Sequence, residues 1–178
     1  MYDKTKYPKS IAEGSFAEKK FYEAAVKRNF TAYKTDLETD QYDHVDYTIE
    51  KQINNTVCKR SVEVKGLKRR NRNDDDFDDT IVWIEYKNVN GGTGWTFAKA
   101  QLFVFKLKYS FLVASAEEVR QLLQKLKDDN KLSSDIKMTN PDIDNLVYQK
   151  YTRYGNKEII MMVHRSDIEN LKSTKHWK

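Results

Sequence analysis

Two runs of period-two alternation, His44-Val45-Asp46-Tyr47-Thr48-Ile49 and Ser61-Val62-Glu63-Val64-Lys65, flank Ile53-Asn54-Asn55-Thr56. Such alternation is the pattern of a half-buried strand. Asparagine tolerates positive φ, so Asn54-Asn55 suits a two-residue type I′ turn. That turn sets Ile53 opposite Thr56 and thereby fixes every other partner. Tyr47 faces Val62, Val45 faces Val64, Asp46 faces Glu63 and His44 faces Lys65. One face of the hairpin is then apolar, and the other carries Asp46, Glu63 and Lys65. Carboxylates directly opposite one another have Cβ atoms about 5 Å apart, and at an effective dielectric near ~20 they repel by about 3 kcal/mol. A chain keeps such a pair where solvent screens it or where a cation sits between. Lys65 is one such cation, and Mg²⁺ is another, because hard oxygen ligands at this spacing suit it. An exposed hairpin face with ordinary surface charge is the bland alternative.

The rest of the chain reads as one mixed α/β domain. A polar arm over residues 1–13 precedes a helix from Ser15 to about Asn29, whose Phe16, Ala17, Phe21, Ala24, Ala25 and Val26 share a broad face. Ser15 and Glu18 have the spacing of a capping box, and so do Ser115 and Glu118 before the helix over 116–128. Strands are predicted at Phe30–Lys34 and Ile81–Tyr86, and Leu102–Phe105 and Tyr109–Ala114 read as two further strands or as a short helix end followed by a strand. A basic run, Lys68-Arg69-Arg70-Asn71-Arg72, and the acidic Asp74 to Asp79 form an exposed loop between the hairpin and Ile81. Gly91-Gly92-Thr93-Gly94 concentrates three of the six glycines and marks a special turn before Trp95. A C-terminal β-hairpin, Leu146–Arg153 and Glu158–His164 about Gly155-Asn156, ends in a short helix capped at Ser166.

Several classes are excluded. With 178 residues, 39% of them hydrophobic, the chain suffices for one core and not for two sizeable domains. No apolar stretch is long enough to span a membrane, and the N-terminal residues lack the apolar region of a secretory signal. One cysteine, Cys58, with three histidines cannot build a structural zinc site or an internal disulfide. The phosphate-cradling Gly-x4-Gly-Lys-Ser/Thr loop is absent, so no nucleotide cofactor is expected, and neither Gly-x-Ser-x-Gly nor His-Glu-x-x-His occurs. A net charge of +5 and a pI near 9.0 are compatible with a polyanionic partner. The expected setting is a reducing cytoplasm. The Lys-, Asn- and Tyr-rich composition points to an AT-rich genome such as a virus's, which would make it the host cytoplasm.

A helix carrying Gly14-Ser15-Phe16-Ala17-Glu18, an aspartate in His44-Val45-Asp46-Tyr47-Thr48-Ile49 and the partner strand Val62-Glu63-Val64-Lys65-Gly66 together resemble the core of the PD-(D/E)xK nuclease superfamily. The helical Gly-x-x-x-Glu is similar to that of its Holliday-junction resolvases, and Asn90-Gly91-Gly92-Thr93-Gly94-Trp95 looks like small phage-type members. Val45 stands where many members have proline before the aspartate.

The resemblance implies a restriction-endonuclease-like core over about residues 14–130, a mixed central sheet flanked by helices, with the hairpin and helix at about 145–172 attached. It implies a Mg²⁺-dependent endonuclease for DNA, with Mn²⁺ able to substitute. Asp46, Glu63 and the Val64 main-chain carbonyl would hold the metal, Lys65 would orient water or steady the phosphate, and Glu18 and Glu85 are further candidate ligands. Lys68, Arg69, Arg70 and Arg72 are candidate phosphate contacts, and Trp95 is a candidate stacking residue or a core tryptophan. A junction resolvase acting as a homodimer on branched DNA leads, followed by a restriction-like or genome-processing nuclease on duplex. A non-catalytic nucleic-acid-binding module on the same scaffold is the alternative from another class.

Overall fold

The computed structural model describes residues 8–69, 76–139, 146–153 and 155–178. The helix α1 (Pro8–Lys27) starts earlier than its periodicity suggests, because proline is pre-organised for the first turn of a helix. Residues 8–13 are therefore helical rather than part of an arm. Ser15 and Glu18 lie inside the helix, so they form no capping box. Asn29, at φ 61°, ends α1 and lets the Phe30 N–H reach the Ala25 carbonyl at 3.1 Å.

Strands β1 (Thr31–Lys34), β2 (Tyr47–Ile53) and β3 (Thr56–Lys65) form an antiparallel meander. Tyr47 pairs with Val62 and Ile53 with Thr56, the register that the turn dictates, and Asn54 and Asn55 both have positive φ. The chain then leaves this sheet. Strand β4 (Ile81–Lys87) joins a second sheet, while β5 (Leu102–Lys106) returns to lie parallel to β3 and β6 (Phe111–Ser115) pairs antiparallel with β5. Helix α2 (Ala116–Asp128) follows directly, capped by the Ser115 hydroxyl. Glu118 does not close the box; its carboxylate accepts from the Ser173 N–H and hydroxyl at 3.0 and 2.8 Å instead.

The second sheet has the order β4-β9-β8-β7, with β7 (Lys137–Met138), β8 (Tyr151–Thr152) and β9 (Ile159–His164). The expected C-terminal hairpin is reduced to one pair, Tyr151 with Ile160, and the main partner of β9 is β4. The physical reason is the unbroken apolar run Ile159-Ile160-Met161-Met162-Val163. Both of its faces are buried, so it needs a central place in a sheet rather than a half-exposed hairpin. After α3 (Arg165–Glu169), β10 (Lys175–Trp177) adds a last strand beside β6, which the sequence pattern does not announce.

Three clusters hold these layers. Ala17, Phe21 and Ala25 of α1 pack on Tyr47, Ile49, Val62, Val64 and Val104. On the opposite side of the main sheet, Val45, Phe103, Phe105 and Ala114 meet Val82 and Ile84 of β4, Met161 and Val163 of β9, and α2. A third cluster, around Tyr151 and Ile160, belongs to the second sheet. Among the described residues no helix is long and apolar enough to cross a membrane.

Phe21 is fully buried against Tyr47, Phe111 and Trp177, with ring centroids 5.8, 6.1 and 5.8 Å away. Phe21→Ala should cost about 3–5 kcal/mol of unfolding free energy in urea titration. Phe16, on the same helix but exposed, should tolerate alanine with a change below about 0.5 kcal/mol.

Candidate functional site

The two-strand ladder stops one residue short of Asp46. A π-helical turn over Thr39–Asp43 leads into His44, which adopts left-handed backbone at φ 50°, and Asp46 donates its N–H to the Val62 carbonyl at 2.8 Å. This departs from the regular partnering of Asp46 with Glu63. Val45 accordingly faces the Phe103 and Phe105 side and not the α1 side where Val64 lies. His44 sits off the strand, its Nε2 3.3 Å from the Thr93 carbonyl, rather than opposite Lys65. The irregularity turns the Asp46 carboxylate toward β3, where Oδ2 accepts from the Val64 N–H at 2.6 Å.

Glu63 and Lys65 alternate with Val62 and Val64, so they emerge on the face away from α1, next to Phe103 and Phe105 of β5. Asp46 is 5% exposed and Glu63 3%. One Glu63 oxygen pairs with the Lys65 ammonium, while Oε2 is buried with no hydrogen-bond partner among the described residues. An unsatisfied buried acceptor costs about 1–3 kcal/mol, so the site has capacity for one more cation or donor.

Burial, followed by the negative charge of Glu63, pushes the Asp46 carboxyl up to about 8. Burial disfavours the Lys65 ammonium, yet Glu63, Asp46 and Glu85 around it hold its pKa above the ordinary lysine value. Burial also lifts Glu85, which Lys65 and a hydrogen bond from the Trp95 N–H partly offset. Groups displaced by burial and by one another in this way occur at functional sites and in structural ion-pair networks alike.

The other candidates are placed as follows. Glu18 pairs with Lys34, although its charge reaches Asp46. Among the described residues no three His, Cys, Asp or Glu side chains come together as a metal cage. The donor set is therefore Asp46 and Glu63, with the Val64 carbonyl directly after Glu63 in sequence. Two hard carboxylates, one with an orphaned oxygen, fit a divalent ion that keeps several waters, as Mg²⁺ does. Lys68 is exposed at the rim of a cavity of about 40 Å³ between the end of β3 and β4, lined also by Lys65, Trp83 and Trp95. Arg69 is turned inward, bonded to Glu13 at 2.7 Å and stacked on Phe77, so it is not presented to a ligand. Arg70 and Arg72 lie outside the described residues. Trp95 is 4% exposed and cannot stack on a base.

One pair escaped the sequence reading. Glu158, fully buried, is gripped by Arg153 at 2.7 Å and by Asn156 at 3.2 Å, and its charge is felt by Glu85. Its trace in the sequence is two opposite charges flanking Gly155-Asn156, which is too common a pattern to single out.

The pH dependence follows in sign from Asp46. A carboxyl whose folded pKa lies above its unfolded value near ~3.9 stabilises the protonated fold, and that contribution is lost as pH rises toward 8. Asp46→Asn keeps an oxygen for the Val64 N–H and removes the charge. In metal-free thermal denaturation it should raise Tm at pH 8 and match the parent near pH 4. Parallel pH profiles would contradict this electrostatic account. Compared with protein-family models, curated proteins and solved structures, the chain matches none, so the reading of its site rests on the chemistry above.

Proposed function

We propose that the chain is a divalent-metal-dependent endonuclease of the PD-(D/E)xK kind that hydrolyses phosphodiester bonds in DNA. The observation that carries this reading is the buried pair Asp46 and Glu63 beside Lys65, which pairs with one Glu63 oxygen and leaves the other over. The mixed main sheet, with α1 on one side and α2 in the core on the other, supports a restriction-endonuclease-like core.

Asp46, Glu63 and the Val64 carbonyl would hold Mg²⁺ or Mn²⁺. A bound ion of this kind lowers the pKa of water and offsets charge developing on phosphate. Lys65, beside Glu63, donates to the attacking water or to a non-bridging phosphoryl oxygen, where a preorganised cation is worth most in a water-poor site. Lys68, exposed at the rim, meets a neighbouring backbone phosphate and positions the strand without reading its sequence. Glu85 acts on Lys65 through its charge. One chain carries one such set, so cutting two strands of a junction or duplex calls for a homodimer. A junction resolvase is the first assignment within the class, ahead of a restriction-like or genome-processing nuclease.

The test is cleavage of four-way junction, linear duplex, flap and single-stranded DNA with Mg²⁺, Mn²⁺ or chelator. Cleavage should need the metal and fall at least about 100-fold in Glu63→Gln and in Lys65→Ala, with DNA binding retained. Full activity in Glu63→Gln would eliminate the assignment, and binding with no cleavage of any substrate would make the chain a non-catalytic module. Lys68→Ala should weaken binding to all sequences alike and reduce the salt slope by about one; an unchanged slope would remove Lys68 from the interface.

A further inference from the structure

We infer that Trp95 is a positioning residue for Lys65, the face of its indole holding the ammonium beside Glu63 and Asp46. The proposal rests on the nuclease reading for its catalytic consequence and on geometry alone for the contact. The Lys65 Nζ lies 5.2 Å from the centroid of the Trp95 ring. Glu63 bonds the same ammonium, so it is gripped by a carboxylate and by the negative face of an aromatic ring.

The ring itself has little freedom. It is 4% exposed and stands edge-on to Phe103 at 4.9 Å and to Phe105 at 6.0 Å. Those two phenylalanines are the β5 register partners of Glu63 and Lys65, so one pair of residues sets both the strand that carries the lysine and the ring that receives it. Gly94 brings the tryptophan there. A Cβ on Gly94 would lie 2.2 Å from the Glu85 carbonyl oxygen, so only glycine allows the turn to press this closely on β4.

A lysine side chain is a flexible four-carbon stem, and a single carboxylate leaves it several rotamers. Once Glu63 serves a divalent ion, the indole remains as a contact on the ammonium, beside the charge of Glu85. The glycine-rich turn therefore has a role beyond reversing the chain: it delivers the ring that aims the amine.

The experiment labels the protein with 5-fluorotryptophan, whose three tryptophans give three ¹⁹F resonances. The Trp95 resonance, assigned through Trp95→Phe, should move in Lys65→Met and stay in place in Lys20→Met, a substitution on α1. A resonance that ignores Lys65→Met overturns the contact. In cleavage assays Trp95→Leu should lose about tenfold in kcat with KM within about twofold, and Trp95→Phe, which keeps a ring face, should recover most of it. Equal losses in the two variants overturn the positioning role. Should Trp95→Leu fail to fold, the phenylalanine variant and the resonance still decide. Absence of cleavage by the parent would sink the nuclease reading, while the ¹⁹F result would still test the grip on Lys65.

Discussion

Taking two carboxylates and an ammonium out of water at neighbouring positions costs several kcal/mol per ion before any compensation. Asp46 and Glu63 are placed in that situation, with the partly covered Lys65 beside them, and much of the local irregularity of the fold serves to make it tolerable. The left-handed His44 ends the ladder so that Asp46 can take the Val64 N–H. The parallel β5 brings phenylalanines against the charged face, and the glycine turn adds a tryptophan. A purely structural core would lose nothing by placing well-packed hydrophobic residues there. Retaining three ionisable side chains with one oxygen unpaired makes sense where an exogenous cation completes the set.

The hairpin was legible because its turn and its alternation are local signals that agree. Asn54-Asn55 fixes the partner of Ile53, and the register follows to Tyr47 and Val62 without tertiary information. The same reasoning failed at Asp46 and Val45, where a bend set by the preceding π-turn overrides the period of two. The α1 core face was readable at Ala17, Phe21 and Ala25, while Phe16 and Val26, equally apolar, remain exposed because each lies about 100° around the helix from that i, i+4, i+8 line.

The second sheet was not legible. Ile81–Tyr86 and Glu158–His164 each read correctly as strands, but nothing local says that they pair with each other across some eighty residues. Continuous apolar runs carry no facing preference, so neighbours must be learned from packing. Trp95 shows the converse: its burial was one of two sequence readings, but its position over Lys65 depends on Phe103, Phe105 and Gly94 meeting in space. Likewise, the charge of Arg69 suggested a phosphate contact, whereas Glu13 and Phe77, brought near by α1 and the loop after β3, claim it.

The central claim is that Asp46 and Glu63 converge on one divalent ion. Its most direct measurement is Mn²⁺ binding to the protein alone, followed by electron paramagnetic resonance of the free ion. One ion per chain, lost in Glu63→Gln and displaced by Mg²⁺, is the predicted result. No saturable binding, or binding that survives Glu63→Gln unchanged, would contradict the account.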